Sequence, residues 1–99
     1  MPRPAALTPA ELDHFLATST DWSLEEGRLV RQATAASFPE AIGWVVAVAD
    51  AAERPDHHPD IDIRWRTVTF RLSTHDAAAV TRLDTDLAGD IDGIVALSS

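Results

Sequence analysis

Three helix-start signatures partition this chain. Thr8-Pro9-Ala10-Glu11, Ser37-Phe38-Pro39-Glu40 and Thr81-Arg82-Leu83-Asp84 each set a hydroxyl residue three positions ahead of an acid. In that spacing the hydroxyl satisfies an orphan N–H of the first turn, and the acid reaches back to the cap's own N–H. Pro9 strengthens the first signature, because its missing donor costs nothing at the first helical position. The two intervals left between these starts must be filled by something other than helix, or by its ends.

The first start leads into Leu12, Phe15 and Leu16 at helical spacing, with Asp13 and His14 turned the other way. His14 therefore reads as a solvated surface residue, and Leu7 and Leu12 stand where a hydrophobic staple would join them. The second start opens a segment carrying Ile42, Trp44, Val45, Val46, Val48, Ala49 and Ala52. That apolar arc predicts a central helix buried along much of its surface. Its valines form helix poorly by themselves, so tertiary packing has to hold them. The helix is expected to run for about 16 residues and to end by Arg54, because Pro55 cannot continue the ladder. The third start carries Leu83, Leu87, Ile91, Ile94 and Val95 on one face. Gly89 and Gly93 inside it each cost about 1 kcal/mol relative to alanine, which predicts close approach to another element or subunit.

Residues 19–34 bear Trp22 and Leu24, then Glu25-Glu26-Gly27, then Leu29 and Val30 before Arg31-Gln32. Apolar segments on either side of a glycine predict a β-hairpin, with Gly27 supplying positive φ in a loop of about three residues. Trp22 reads first as a hairpin side chain packing on a helix and second as a stacking surface for a ligand. Further along, Ile61, Ile63 and Trp65 alternate with Asp62 and Arg64, and Val68, Phe70 and Leu72 alternate in the opposite parity. The parity change predicts a second hairpin reversing at Arg66-Thr67, since a single strand over 61–73 would be too long. The order α-β-β-α-β-β-α follows. It implies a two-layer α+β fold, a four-stranded antiparallel sheet with helices packed on one face, in a single domain over residues 1–99.

Composition excludes several function classes. The 99 residues contain no cysteine, which removes disulfide, thiolate and thiolate-metal chemistry. Eight basic residues, all arginine, against 16 acids give a net charge of −8, unsuited to a phosphate backbone, so no nucleic-acid partner is expected. Met1-Pro2-Arg3-Pro4 has no apolar core of a secretory leader after it, and the longest apolar run, Trp44 to Ala49, is far short of a membrane span. No membrane association is expected, and the chain reads as cytoplasmic. A core at this size buries roughly 60–65% of the unfolded surface, which makes oligomerisation a reasonable expectation.

Chemistry concentrates in Glu53-Arg54-Pro55-Asp56-His57-His58-Pro59, with His75 arriving later in the chain. Acids and histidines at 53, 56, 57, 58, 60, 62 and 75 offer nitrogen and oxygen ligands, but adjacent histidines in a loop diverge and no His-x-x-x-His spacing is present. A solvated loop, or turn-capping by Asp56 or Asp76, are further readings. The functional reading is proton transfer. Histidine both donates and accepts near neutrality, and no cysteine or nucleophile-elbow serine offers a covalent route.

The set Glu53, His57-His58-Pro59, Trp65, His75 and Asp84 resembles the active-site pattern of the pterin-4a-carbinolamine dehydratases. Trp22 to Gly27, the helix from Phe38 to Arg54, and Leu72-Ser73-Thr74-His75-Asp76 are similar as well, so the likeness runs from Leu7 to about Ile94. The resemblance implies loss of water from a 4a-hydroxytetrahydropterin to give the quinonoid dihydropterin, within tetrahydrobiopterin recycling. It implies His57 and His75 as proton-transfer groups and His58 as a pterin contact, the three forming the catalytic set. Glu53 and Asp84 would orient histidines or hold the site, Thr74 would offer a hydroxyl or backbone contact to the ring, and Trp65, where the family often has tyrosine, would border the pterin. Neither a metal nor a cofactor is implied.

Three positions depart from the family pattern. Ile61 replaces an aromatic residue, Ala79 stands where glycine is usual, and Arg54 takes the place of a lysine after Glu53. The resemblance also implies a homodimer or homotetramer built through sheet edges and helices. Its second implication is a different function, that of a non-catalytic dimerisation or binding module acting as a transcriptional cofactor.

Overall fold

A computed structural model describes residues 4–98 of the chain. Met1-Pro2-Arg3, read above as a leaderless start, lie outside the described residues, as does Ser99. The elements are α1 (Pro9–Thr18), β1 (Ser23–Glu25), β2 (Arg28–Thr34), α2 (Phe38–Glu53), β3 (Asp60–Arg64), β4 (Thr67–Leu72) and α3 (Arg82–Leu97), with a short 3-10 turn at His75–Ala77 before α3. The predicted α-β-β-α-β-β-α order is therefore the observed one.

The four strands form one antiparallel sheet in the order β1-β2-β4-β3. In the central pair Leu29 faces Leu72, Arg31 faces Phe70 and Ala33 faces Val68, and on β3 Ile61 and Ile63 face Phe70 and Val68. Period-two alternation thus puts these residues on one face, where they join Trp44, Val48, Leu87 and Ile91 of the covering helices in a single core. Burying each such side chain contributes about 1.5–3 kcal/mol. Arg31 is an ion in this apolar setting. Its guanidinium pairs with Asp92 of α3 and lies 3.6 Å from Asp21, while Trp22 Nε1 donates to the same Asp92 carboxylate at 2.9 Å. Trp22 is accordingly buried against α3, as the packing reading expected.

The helix starts differ in detail. Around α1, Glu11 N donates to Thr8 Oγ1 and Thr8 N donates to Glu11 Oε1, the full reciprocal cap. At α2, Ser37 accepts from Glu40 N, but Glu40 reaches one residue further back and accepts from Ala36 N. The buried arc of α2 is also narrower than its sequence suggested. Ala41, Trp44, Val48 and Ala52 are buried, whereas Ile42 and Val46 are exposed.

Both hairpins turn in two residues. Glu26 and Gly27 both have positive φ, the backbone that matches strand twist in so tight a loop, so the predicted three-residue loop is one shorter. The second reversal is at Trp65-Arg66 rather than Arg66-Thr67, because Arg64 pairs with Thr67. Trp65 is thus a turn residue with φ +55, not the last inward residue of a strand. Gly89 and Gly93 show no close approach to another element of the same chain, since a Cβ built on each meets nothing within 4 Å.

Candidate active site

The end of α2 delivers the two adjacent histidines in opposite directions. Asp56 N donates to Glu53 O at 3.1 Å and His57 N donates to Ala52 O at 3.0 Å, the paired bonds of a Schellman motif. The residue between cap and exit, Asp56, takes the left-handed conformation at φ +51, where aspartate is one of the few tolerated non-glycine residues. This closing turn carries His57 into the interior and leaves His58 outside, with 59% of its side chain exposed.

The opposite wall comes from the segment between β4 and α3. Thr74 and Ala79 form an isolated antiparallel bridge that closes a small loop over His75, Asp76 and Ala77. Ala78 holds the left-handed backbone of that loop at φ +51, and Ala79 is not among the residues of positive φ, so it needs no such freedom. His75 is exposed at the tip of the loop, and Thr74 is buried at its base.

Asp84 joins the two walls. It is the third residue of α3 and fully buried, and its Oδ2 accepts from Thr81 N and from Thr74 Oγ1, both at 2.8 Å. Its Oδ1 lies 2.5 Å from Nε2 of His57. One carboxylate therefore completes the helix cap, favoured there by the helix dipole, and holds the buried imidazole. An ionised carboxylate only accepts, so Nε2 is the donor, and the neutral ring then carries its free lone pair on Nδ1. That second nitrogen has no protein hydrogen-bond partner among the described residues.

Glu53 Oε1 lies 2.9 Å from Nε2 of His58, and Asp56 Oδ1 lies 3.7 Å from the same atom, all on the surface. Glu53, Asp56 and His58 bring one ligand atom each within 4.8 Å of one another, so these are the residues that would hold a cation here. All three are exposed, and exposed groups of this kind are common without an ion.

Of the residues singled out from sequence, the fold brings His57, Thr74 and Asp84 into one bonded network and pairs Glu53 with His58. His75 adjoins Thr74 in the chain. Two expectations change. The Thr74 hydroxyl is turned inward to Asp84 and Thr81, so of the two contacts expected of this residue the hydroxyl one is taken up within the protein, and the backbone one stays an expectation. Trp65 is 90% exposed at the far end of β3, five residues or roughly 17 Å of strand beyond Asp60, and shares a shallow cavity with Phe38 and Arg66. Within one chain it does not reach the histidines. Thr81, read from sequence only as a helix cap, is a member of the network that the motif pattern did not mark; its place three residues ahead of Asp84 was the available signal.

Residues 5–94 match the family described as Pterin 4 alpha carbinolamine dehydratase. The chain belongs to that family. Among curated relatives, proteins provisionally named pterin-4-alpha-carbinolamine dehydratase from Roseiflexus castenholzii and Mycobacterium avium are each 48% identical over 91 residues, covering 92% of this chain and 98% and 97% of theirs. A similarly named protein from Nocardia farcinica is 58% identical over 72 residues, 73% of this chain and 76% of its own. The crystal structure of a transcriptional coactivator/pterin dehydratase from Brucella melitensis superposes with a TM-score of 0.87 at 28% identity, covering 91% of this chain and 98% of that one. The pterin dehydratase fold and the family membership thus agree. Among the described residues no helix is long and apolar enough to cross a membrane.

Proposed function

We propose that this chain, as one catalytic unit, removes water from a 4a-hydroxytetrahydropterin to give the quinonoid dihydropterin. The carbon–oxygen bond at C4a breaks as an acid protonates the departing hydroxyl, and a ring nitrogen gives its proton to a base while its electron pair forms the new double bond. Two positioned histidines suffice for this, and neither step calls for a metal or a redox cofactor. In this reading His57 accepts the proton at Nδ1, His75 supplies the one that leaves with the hydroxyl, and His58, steadied by Glu53, contacts the pterin. The observation that carries the reading is the buried Asp84 carboxylate on Nε2 of His57, which directs the basic nitrogen away from the protein's own acceptor.

The test is the dehydration rate of 4a-hydroxytetrahydropterin with purified protein and with His57→Ala and His75→Ala. Each variant is expected to lose about 10²–10⁴ in kcat, the usual contribution of a general acid or base. A wild-type rate no better than the variants' would overturn the assignment.

A second reading, a partner-binding module, draws support from Phe38, Ile42 and Val46, which form an exposed apolar row along α2. The coactivator part of the Brucella melitensis protein's description points the same way for that protein. The row would equally serve a homodimer or homotetramer. Stoichiometric capture of a partner that survives substitution of His57, His58 and His75 together would favour this reading over catalysis.

A further inference from the structure

Asp84 is held by more than its helix. Thr81 and Thr74 lie in different local structures, one capping α3 and the other at the base of the loop after β4, yet their hydroxyl oxygens are 2.8 Å apart and both residues are buried. Counting hydrogens fixes the direction of every bond. The Thr74 hydroxyl has one hydrogen, and it goes to Asp84 Oδ2 at 2.8 Å. The bond between the two threonines must then be donated by Thr81. Thr81 Oγ1 is in turn an acceptor for Leu83 N at 3.2 Å, which orients its hydrogen away from the helix.

We infer that Thr81 and Thr74 form a hydroxyl relay that sets the rotation of the Asp84 carboxylate and, through it, the tautomer and orientation of His57. The relay runs from Thr81 O–H to Thr74 O–H to Asp84 Oδ2, and the Thr81 backbone N–H fills the same oxygen. With Oδ2 doubly occupied, only Oδ1 is left for His57 Nε2. A helix cap alone would require Thr81 and Asp84 but not Thr74, which lies off the helix. Both threonines are positioning residues, since both are buried and their hydroxyls are engaged with each other, Asp84 and Leu83 N.

This inference rests on the dehydratase reading for its kinetic arm but not for its spectroscopic one. Thr81→Val and Thr74→Val keep the side-chain shape and remove the hydroxyl; Thr81→Ser and Thr74→Ser restore it. In the wild-type protein, ¹⁵N NMR of the neutral His57 ring is expected to show hydrogen on Nε2 alone, and each valine variant, whose carboxylate is released at Oδ2 and free to turn out of line with Nε2, is expected to show a mixture of tautomers, restored by serine. In the dehydration assay the valine variants are expected to lose up to about 100-fold in kcat with KM within about twofold, again restored by serine. Should Thr81→Val fail to fold because its cap is lost, Thr74→Val carries the test, since its backbone bridge to Ala79 is untouched. A single Nε2–H tautomer in a folded valine variant, or serine variants as impaired as the valine ones, would overturn the relay. A wild-type protein with no dehydratase activity would refute the proposed reaction while the tautomer measurement still decides the relay.

Discussion

The Asp84 carboxylate meets the His57 ring at 2.5 Å, joining the first turn of α3 to the turn that ends α2. Two backbone devices make the contact, since a Schellman motif turns His57 inward and a capping box fixes the residue it meets.

Replacing Asp84 by asparagine tests what that carboxylate does. Oδ2 accepts from two donors, so the amide oxygen must take its place and the NH₂ must face His57. The neutral ring would then have to accept at Nε2 and carry its hydrogen on Nδ1. Tautomer inversion at a catalytic imidazole costs about 10⁴ in kcat in a hydrolase triad, and Asp84→Asn is expected to lose about 10³–10⁴ here. Loss of a charged acceptor in a buried network is expected to reduce stability by about 1–3 kcal/mol. Rate measurements and urea denaturation check the two parts separately.

The architecture was legible because local signals agreed with one another. Three caps, two alternating pairs and Pro55 each point to the same elements, with only the hairpin reversals displaced by a residue. What sequence did not reveal is side-chain direction beyond period. Trp65 continues the Ile61, Ile63 alternation in sequence, but a two-residue reversal takes it out of the strand. Ile42 and Val46 look like core because an apolar arc does not say how much of it a sheet of four strands can cover. At the site, the motif named Asp84 and His57 without saying that they touch. The inward turn of Thr74 depends on the bridge to Ala79, a tertiary closure no spacing encodes.

Gly89 and Gly93 offer a direct measure of what packs beside α3. A Cβ on either meets nothing within 4 Å of the single chain. Gly89→Ala and Gly93→Ala are therefore each expected to stabilise the protein by about 0.5–1 kcal/mol, through better helix propensity alone. In a domain of this size about 1 kcal/mol raises Tm by roughly 4–8 °C, well within reach of thermal melts. A fall in Tm that depends on protein concentration would reveal a neighbouring subunit seated on the glycines.

The α1 cap contributes a pH-dependent part of stability. The backbone hydrogen bond from Thr8, and secondarily its side chain, hold the Glu11 carboxyl below its ordinary pKa of 4.5. A folded pKa lower than the unfolded one means the stabilisation is complete above the unfolded value and is lost as pH falls through the folded value. Glu11→Gln is expected to be less stable than wild type at neutral pH, with the difference shrinking as the solution is acidified below about pH 4. Denaturation midpoints across that range measure it.

Adjacent histidines with opposite burial should separate stability from function. His57 is buried on a carboxylate with no exposure of its own, so His57→Ala leaves Asp84 Oδ1 without its partner and is expected to cost about 1–3 kcal/mol along with activity. His58 and Glu53 pair on the surface, with 59% and 76% of their side chains exposed, and exposed ion pairs contribute about 0–1 kcal/mol. His58→Ala and Glu53→Gln are therefore expected to melt close to wild type while lowering kcat/KM for the pterin substrate. The comparison is sharp because positions 57 and 58 share a backbone turn. Any damage to that turn would lower stability in both alanine variants, whereas a difference confined to His57→Ala isolates the bond to Asp84.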